Sequence, residues 1–348
     1  MNNPIVLIGK SSLNEAELFF NKFQNEKIFI LVDSNSKEYC LDIFMSYFPF
    51  LVKSIILEIN SGESIKSLNT ISLLAGKLVQ HKAEKNSLLI NLGGGVISDI
   101  GGFLASIFNR GINYVNIPTT LLSQVDASVG GKTGVNFNHI KNKLGFFYNP
   151  KLVLIFPLFL KTLPKLEIAS GFGEIFKYSL ISDKKMWNVL KKTKFELDST
   201  LEKLILGSVI IKEKIVQKDL FDNNIRKVLN FGHTIGHAVE SVYLHSHKFN
   251  HGICVVIGMI CESYISNKLN YLPDSVFLEI QKTLVSKFSL TKIENIERVI
   301  SFIISDKKNK NNEIKLITIS EIGNANFDVS VTENDIKKSL NFFNSLYE

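Results

Sequence analysis

The first half of the sequence alternates short apolar runs, rich in β-branched residues, with segments whose apolar residues recur at helical spacing. Six of the runs predict strands, at residues 5–9, 27–33, 54–59, 87–92, 113–118 and 152–156. The spacing between them predicts helices, for example at 12–23 and 61–80. Strands that alternate with helices form a parallel sheet covered on both faces. We therefore expect an α/β domain whose ligands bind beyond the carboxyl ends of the strands.

The second half has a different pattern, which begins after Pro164. From about residue 165 to 290 the apolar residues recur at helical spacing, and no run predicts a strand convincingly. Runs at 313–319 and 325–331 then predict a strand pair with Gly323 at the turn, followed by a terminal helix. The chain thus predicts two domains, an α/β domain at 1–160 and a mainly α-helical domain at 161–348.

A glycine-rich turn follows the strand predicted at 87–92. Glycines from Gly93 to Gly95 would let backbone N–H groups approach a phosphate at the start of the next helix. Tight strand–helix turns also use glycine, so this signal alone is weak. Asp99 is either an ordinary first-turn acid or a ligand for a ribose or nicotinamide.

A second glycine-rich segment, SVGGKT, resembles the tail of a phosphate-binding P-loop. Asp126 stands where that loop requires glycine, so the P-loop interpretation fails. Lys132, Lys141 and Asn142 nevertheless suit an oxyanion-binding lining, and a lysine-bearing surface loop is the alternative.

Histidines are concentrated between Asn230 and Gly252, where five of the seven in the chain lie. His233 and His237 are four residues apart, which places both imidazoles on one face of a helix. His251 follows a polar stretch and opens a new apolar run. Imidazoles brought together in this way suit a divalent metal such as zinc. A helix surface followed by a solvated loop explains the segment equally well on its own.

Charged residues elsewhere in the second half offer partners for these histidines. Glu174 and Lys177 are three apart among apolar residues, so they predict a salt bridge, and Glu174 is also the best-placed carboxylate to complete a metal site. Lys212, Arg226 and Asn230 precede the histidines. Arg226 is either a surface charge or part of a site shared with His233.

Several classes of protein are disfavoured. The net charge is +7, but no dense basic block with interleaved aromatic residues indicates nucleic-acid binding. The N-terminus has no signal-peptide pattern, and the most apolar run, 152–160, is too short to span a bilayer and contains Pro157. Three cysteines form neither a CxxC pair nor a disulfide framework, which favours a reducing, cytoplasmic setting.

Taken in order, these motifs resemble the 3-dehydroquinate synthase family. The matching segments include GGGVISDIGGF, PTTLLSQVDASVGGKTGVN, EIFKY, LNFGHTIGHA, the His251–Gly252 pair and DKK at 306–308. The resemblance implies an NAD-binding α/β domain, a helical domain that binds metal and substrate, zinc or cobalt as the metal, and a homodimer. It also implies conversion of the anionic 3-deoxy-D-arabino-heptulosonate 7-phosphate to 3-dehydroquinate and phosphate. NAD would be reduced and reoxidised within each turnover.

The resemblance assigns roles residue by residue. Metal ligands fall on Glu174, His233 and His251. Positions that contact NAD fall on Ser61, Glu63, Lys66, Gly94, Gly95, Val96, Ser98, Asp99, Thr119, Thr120, Lys132, Lys141, Phe159 and Thr162. Catalytic or substrate positions fall on Asp126, Lys132, Asn142, Lys177, Lys212, Arg226, Asn230, His237 and one lysine of DKK, here assigned as Lys307. Arg110 matches an arginine that reaches the substrate phosphate of the neighbouring subunit.

Four positions depart from the family pattern: Ser61, Ser98, the Asn224–Ile225 pair and Ile253. The resemblance implies that Ser98 makes a small change at a backbone contact and that Ser61 weakens one contact to the ribose. Ile253 replaces an acidic residue, which removes a potential carboxylate partner of the metal site.

Three other functions are compatible with parts of the sequence. Another sugar-phosphate cyclase, such as 2-deoxy-scyllo-inosose synthase, would share the NAD and metal sites, but Arg226 and Asn230 suit a substrate that bears a carboxylate. A metal-dependent alcohol dehydrogenase of the glycerol dehydrogenase type would need fewer anion-binding residues. A non-catalytic NAD-binding regulatory protein would not need every assigned lysine and ligand.

Overall fold

All six strands predicted for the first half pair side by side in one parallel sheet. The computed structural model describes residues 4–138, 140–243, 249–305 and 314–348, and Lys307, His245 and His247 lie outside them. The strands are β1 (Ile5–Ile8), β2 (Ile28–Asp33), β3 (Ile55–Ile59), β4 (Leu88–Gly93), β5 (Asn113–Pro118) and β8 (Leu152–Ile155). Their order in the sheet is β1-β8-β5-β4-β2-β3. The prediction of a parallel α/β sheet is confirmed.

Each face of this sheet has its own apolar core. Helices α1 (Leu13–Phe20), α2 (Ser34–Ser36), α3 (Asp42–Tyr47), α4 (Leu68–Gln80) and α5 (Gly95–Ile107) connect the strands. Ile30 of β2 belongs to the core that includes Phe20 and Phe44, from α1 and α3. The next residue, Leu31, belongs to the opposite core with Ile71 of α4 and residues of α5. Side chains alternate between the faces with a period of two, so apolar residues in succession are buried on both sides.

One strand pair of the first half is absent from the sequence prediction. β6 (Lys132–Phe137) and β7 (Ile140–Phe147) form an antiparallel hairpin in which Gly134 faces Gly145. A Cβ atom at Gly145 would lie 2.2 Å from the carbonyl oxygen of Thr133, so the two backbones can approach this closely only at glycine. Glycine is depleted in strands, which is why sequence patterning does not detect this pair.

The remaining elements are mainly helical, as predicted. They are α6 (Lys165–Ser182), α7 (Lys184–Leu190), α8 (Ser199–Lys218), α9 (His233–Val242), α10 (His251–Lys268), α11 (Asp274–Lys287), α12 (Ile296–Ser305), β9 (Ile314–Glu321), β10 (Asn324–Val331) and α13 (Glu333–Ser345). β9 and β10 form the predicted antiparallel pair, and Gly323 takes a left-handed conformation at the turn. Most of α10 is buried, so it lies at the centre of this helical group.

The chain divides into two units. The first comprises Met1–Pro164 and Leu197–Glu202, and the second comprises Lys165–Glu196 and Lys203–Glu348. The binding roles predicted for the two domains stay predictions. Across the described residues, no helix combines the length and apolar character needed to cross a membrane.

Candidate active site

In the first unit, the glycine-rich turn lies at the carboxyl ends of β4 and β5. The carbonyl oxygen of Gly93 accepts a hydrogen bond from the N–H of Thr119, at 3.0 Å, which joins the two strand ends. α5 begins at Gly95, and a Cβ atom at Gly94 would lie 3.1 Å from the side chain of Thr120. Glycine therefore keeps the start of α5 uncrowded, and a helix start of this kind offers backbone N–H groups to an anion such as phosphate.

A buried lysine links residues assigned to the cofactor and to the substrate. Lys66 Nζ lies 2.6 Å from Asp99 Oδ2 on α5 and 2.5 Å from Asn142 Oδ1 on β7. The side chain of Asn136 on β6 donates to Glu63 Oε1, at 2.9 Å, and accepts from the backbone N–H of Asn142, also at 2.9 Å. The structure thus brings together four predicted residues from three separate motifs. Sequence reasoning missed Asn136, although its place in GKTGVN was an available signal.

The other residues predicted in the first unit differ in exposure. Phe159 is only 2% exposed, and its ring packs edge-on against Phe156 in the core, so only its backbone is available for the predicted cofactor contact. Ser98 is buried on α5, whereas Val96 is half-buried. Half-buried Asp126 lies in the π-helical turn Ser123–Ala127. Exposed side chains are those of Ser61, Arg110, Lys132, Lys141 and Thr162.

In the second unit, a carboxylate and two imidazoles converge. Glu174 on α6 is fully buried, and its Oε1 lies 3.5 Å from His233 Nε2 and 3.6 Å from His251 Nε2. Ligand atoms about 2.0–2.2 Å from a tetrahedral zinc ion are about 3.3–3.6 Å apart, so this spacing fits a divalent metal. Glu174 Oε2 forms an ion pair with Lys177, which confirms the salt bridge predicted from their spacing.

A third histidine lies beside this cluster. Ligand atoms of His233, His237 and His251 lie within 4.8 Å of one another, and His237 is exposed. Glu174 is fully buried and its Oε1 lies 3.5 Å from His233 and 3.6 Å from His251, whereas His237 is exposed, so Glu174 fits better as the third ligand. The structure brings the three predicted metal ligands together, and their role stays a prediction.

The second nitrogen of each imidazole contacts an acceptor. His233 Nδ1 lies 3.1 Å from the carbonyl oxygen of Phe231, and His251 Nδ1 lies 3.2 Å from Glu240 Oε2. Both acceptors lack a hydrogen, so each Nδ1 donates and each Nε2 is directed toward Glu174. Sequence reasoning missed Glu240. It lies seven residues after His233, and this helical spacing was an available signal.

The two imidazoles titrate in opposite directions. Burial and then the charge of Lys177 lower the pKa of His233 to about 4, so this ring is neutral at physiological pH. Burial also lowers the pKa of His251, but hydrogen bonds to Glu174 and Glu240 outweigh burial and raise it to about 10. The directions differ because His251 lies between two carboxylates. A metal ion would have to displace this proton when it binds.

Close backbone contact positions two of the candidate ligands. Gly173 precedes Glu174, and Gly252 follows His251. A Cβ atom at Gly173 would lie 2.7 Å from the carbonyl oxygen of Gly252, and one at Gly252 would lie 2.0 Å from the carbonyl oxygen of Ser170. Ser170 Oγ also accepts the N–H of Gly252, at 3.0 Å. Glycine at these positions therefore fixes α6 against α10 and Glu174 relative to His251.

A buried acid positions the third candidate ligand. Gly232, in a left-handed conformation, precedes His233 at the start of α9. Its N–H donates to Glu262 Oε2 on α10, at 2.8 Å. Burial raises the pKa of Glu262 to about 8, against the opposing effect of the N–H groups of Gly232, Ile235 and Thr234. Glu262 thus fixes the start of α9, and with it His233, on α10.

Glutamine at position 262 should change how stability depends on pH. An acid whose pKa rises on folding contributes stability fully below its ordinary pKa of 4.5, and the folded protein loses that contribution as pH rises to about 8. The free energy of unfolding of Glu262→Gln minus that of wild type should therefore increase between pH 4.5 and pH 8 and stay constant above pH 8. Urea denaturation of both metal-free proteins at several pH values measures this difference, and a difference independent of pH would contradict the assignment.

The cationic residues assigned to the substrate in this unit are largely buried. Arg226 is 2% exposed and lies in the 3-10 helix Ile225–Asn230, so the surface-charge alternative is wrong. The side-chain Nη1 of Arg226 donates to the carbonyl oxygen of Leu220, at 2.7 Å, and its backbone N–H donates to Asp219 Oδ2, at 3.1 Å. Lys177 and Lys212 are also buried. Asn230 is the last residue of this 3-10 helix, is half-buried and lies three residues before His233.

Two solved structures share this fold over nearly the whole chain. One is 2-epi-5-epi-valiolone synthase from Streptomyces hygroscopicus subsp. jinggangensis with NAD+ and Zn2+ bound, with a TM-score of 0.87 and 24% identity over 99% of this chain and 98% of that chain. The other is 2-deoxy-scyllo-inosose synthase complexed with carbaglucose-6-phosphate, NAD+ and Co2+, with a TM-score of 0.86 and 23% identity over 96% and 95%. This chain therefore has the same fold as these two synthases.

Comparison with other protein sequences shows which family the chain belongs to. Family models described as 3-dehydroquinate synthase N-terminal and C-terminal match residues 56–170 and 171–309. A curated 3-dehydroquinate synthase from Parabacteroides distasonis is 38% identical over an alignment that covers 99% of this chain and 98% of that protein. The chain belongs to the 3-dehydroquinate synthase family, and the resemblance predicted from its motifs is confirmed.

Proposed function

We propose that this chain converts 3-deoxy-D-arabino-heptulosonate 7-phosphate to 3-dehydroquinate and phosphate, with NAD and a divalent metal. The observation that carries the proposal is the convergence of Glu174, His233 and His251 in a chain of this family. The reaction would proceed by transient oxidation, phosphate elimination, reduction and aldol closure, which makes the enzyme a phosphorus–oxygen lyase.

Two sites would hold the cofactors. Glu174, His233 and His251 would bind zinc or cobalt, which lowers the pKa of a coordinated substrate hydroxyl. The start of α5, with Thr119 and Thr120, would bind NAD, which accepts a hydride and returns it. Support for these sites comes from the ligand spacing in the second unit and from the uncrowded glycine turn in the first.

Buried cations of the second unit would hold the anionic groups of the substrate. Arg226 is fixed by the carbonyl oxygen of Leu220, and its planar guanidinium suits a carboxylate. Lys177 and Lys212 are largely removed from water, which strengthens their attraction for phosphate or carboxylate oxygens. These contacts would orient the substrate for each step.

Phosphate release tests this proposal directly. We expect many phosphate molecules to be released per NAD from 3-deoxy-D-arabino-heptulosonate 7-phosphate in the presence of zinc, and a chelator to abolish the release. Mass spectrometry of the product then checks for 3-dehydroquinate. Metal-loaded protein that releases no phosphate from this substrate would contradict the proposal.

The same assay separates the alternatives. Turnover of a different sugar phosphate would indicate another cyclase, and net accumulation of NADH with simple polyols would indicate a glycerol dehydrogenase-type enzyme. The 38% identity to a curated 3-dehydroquinate synthase, compared with 23% to 2-deoxy-scyllo-inosose synthase, favours the first assignment.

A cytoplasmic homodimer completes the proposal. Arg110 is exposed, and Lys85 Nζ donates to its carbonyl oxygen at 3.1 Å, so its loop is tied to the protein while its side chain reaches outward. This supports a contribution of Arg110 to the site of a partner subunit. Cys40, Cys254 and Cys261 are buried free thiols, which suits a reducing compartment. A monomer at assay concentrations, measured by sedimentation, would contradict the dimer.

A further inference from the structure

Glu240, on the face of α9 that carries His233 and His237, contacts the remaining candidate ligand. Its Oε2 lies 3.2 Å from His251 Nδ1, and its side chain is 15% exposed. We propose that Glu240 is a positioning residue of the metal site, because it accepts the Nδ1–H of His251 and so presents Nε2 to the ion. This inference rests on the metal-dependent function proposed above.

The position of His251 explains why its ring needs such a partner. His251 is the first residue of α10, and its side chain is 27% exposed, so few neighbours restrain it compared with His233, at 13%. The positive end of a helix also disfavours positive charge on a residue placed there. A carboxylate at Nδ1 restrains the ring and makes the imidazole a stronger ligand.

His233 and His251 both donate a hydrogen bond from Nδ1, but to different kinds of acceptor. Phe231 holds His233 through a backbone carbonyl, which no substitution removes, whereas Glu240 holds His251 through a side chain. Ile253, two residues after His251 on α10, is buried and apolar, so it offers the ring no acceptor. Glu240 provides, from α9, the carboxylate that accepts the Nδ1–H of His251.

Another carboxyl group provides a matched control. Glu167 on α6 is half-buried, and burial raises its pKa, while a hydrogen bond with Asn250 and then the nearby charge of His251 lower it. It is Glu240, however, that accepts the hydrogen bond from the ring. Glu167→Gln and Glu240→Gln thus remove the same charge near the site, but only the second alters the partner of Nδ1.

Zinc affinity of the metal-free protein, measured by competition with a chromophoric chelator, tests the proposal. Glu240→Gln should weaken zinc binding by about 10- to 100-fold. Glu167→Gln should weaken it by less than about fivefold. Glu240→Asp keeps the charge but withdraws the carboxylate by one methylene, so it should weaken binding nearly as much as Glu240→Gln. The visible absorption of bound Co2+ should change in both Glu240 variants and not in Glu167→Gln.

Each other outcome overturns the inference. Equal losses in Glu240→Gln and Glu167→Gln would show a general effect of charge, and wild-type affinity in Glu240→Asp would show that Glu240 does not position the ring. Wild-type affinity in Glu240→Gln would remove any role in metal binding. Failure of the wild-type protein to bind zinc would overturn the proposed metal dependence as well, which distinguishes the two failures.

Discussion

His233→Ala should lose both bound metal and activity, while the chain stays folded. His233 Nε2 lies 3.5 Å from Glu174 Oε1, and the ring is neutral because burial lowers its pKa to about 4, so its removal leaves no uncompensated charge. A bound metal supplies several kcal/mol of stabilisation to the reaction, which corresponds to a loss of at least about a thousandfold in kcat. Metal content by mass spectrometry and phosphate release should fall together.

His237→Ala is the matched control, because the two histidines lie one turn apart on α9. His237 belongs to the same group of imidazoles but is exposed, so its variant should retain full metal content whatever happens to its activity. Glu174→Ala and His251→Ala should lose metal as His233→Ala does. Loss of metal from His237→Ala with full content in Glu174→Ala would instead establish three histidines as the ligands.

Gly252→Ala should destabilise the protein more than any other single change considered. The added Cβ would lie 2.0 Å from the carbonyl oxygen and 2.4 Å from the Cα of Ser170, and backbone atoms cannot move aside as a side chain can. α6 and α10 would have to separate, with an expected loss of at least about 3 kcal/mol in the free energy of unfolding. Any folded protein that remains should bind zinc weakly, because the separation also moves Glu174 away from His251.

Gly76→Ala is the corresponding control. Gly76 is exposed on α4, and a Cβ atom there would meet nothing within 4 Å. Alanine should therefore raise the free energy of unfolding by up to about 1 kcal/mol, because it favours the helical backbone. Urea denaturation compares the two variants under one set of conditions. A Gly252→Ala protein as stable as wild type would show that α6 and α10 can separate without loss.

The parts of the fold that sequence patterning predicts are those set by local spacing. The six parallel strands are apolar on successive residues because both faces of the sheet are covered, and this pattern is visible in the sequence. The hairpin of β6 and β7 is not visible, because it depends on two glycine backbones meeting across strands. Burial of Arg226 likewise depends on the carbonyl oxygen of Leu220, which no local pattern indicates.

The candidate site, like the fold, could be predicted from the sequence only in part. The spacing of His233 and His237 places them on one helix face, but the pairing of Glu240 with His251 depends on how α9 packs on α10. Family motifs supply the ligand assignments that spacing alone leaves open. Of these, the structure shows that Glu174, His233 and His251 lie together, and their binding of metal stays a prediction.

The glycine contacts between α6 and α10 have a consequence for how the protein matures in the cell. These contacts, the capping of α9 by Glu262 and the ion pair of Lys177 with Glu174 are all made between residues of the chain itself, and they fix the positions of the candidate ligands. In zinc fingers, by contrast, the metal supplies the folding energy. We therefore expect the newly synthesised chain to fold first and to acquire metal afterwards. Which ion it carries would then depend on the ions available at loading, and not on the folding step.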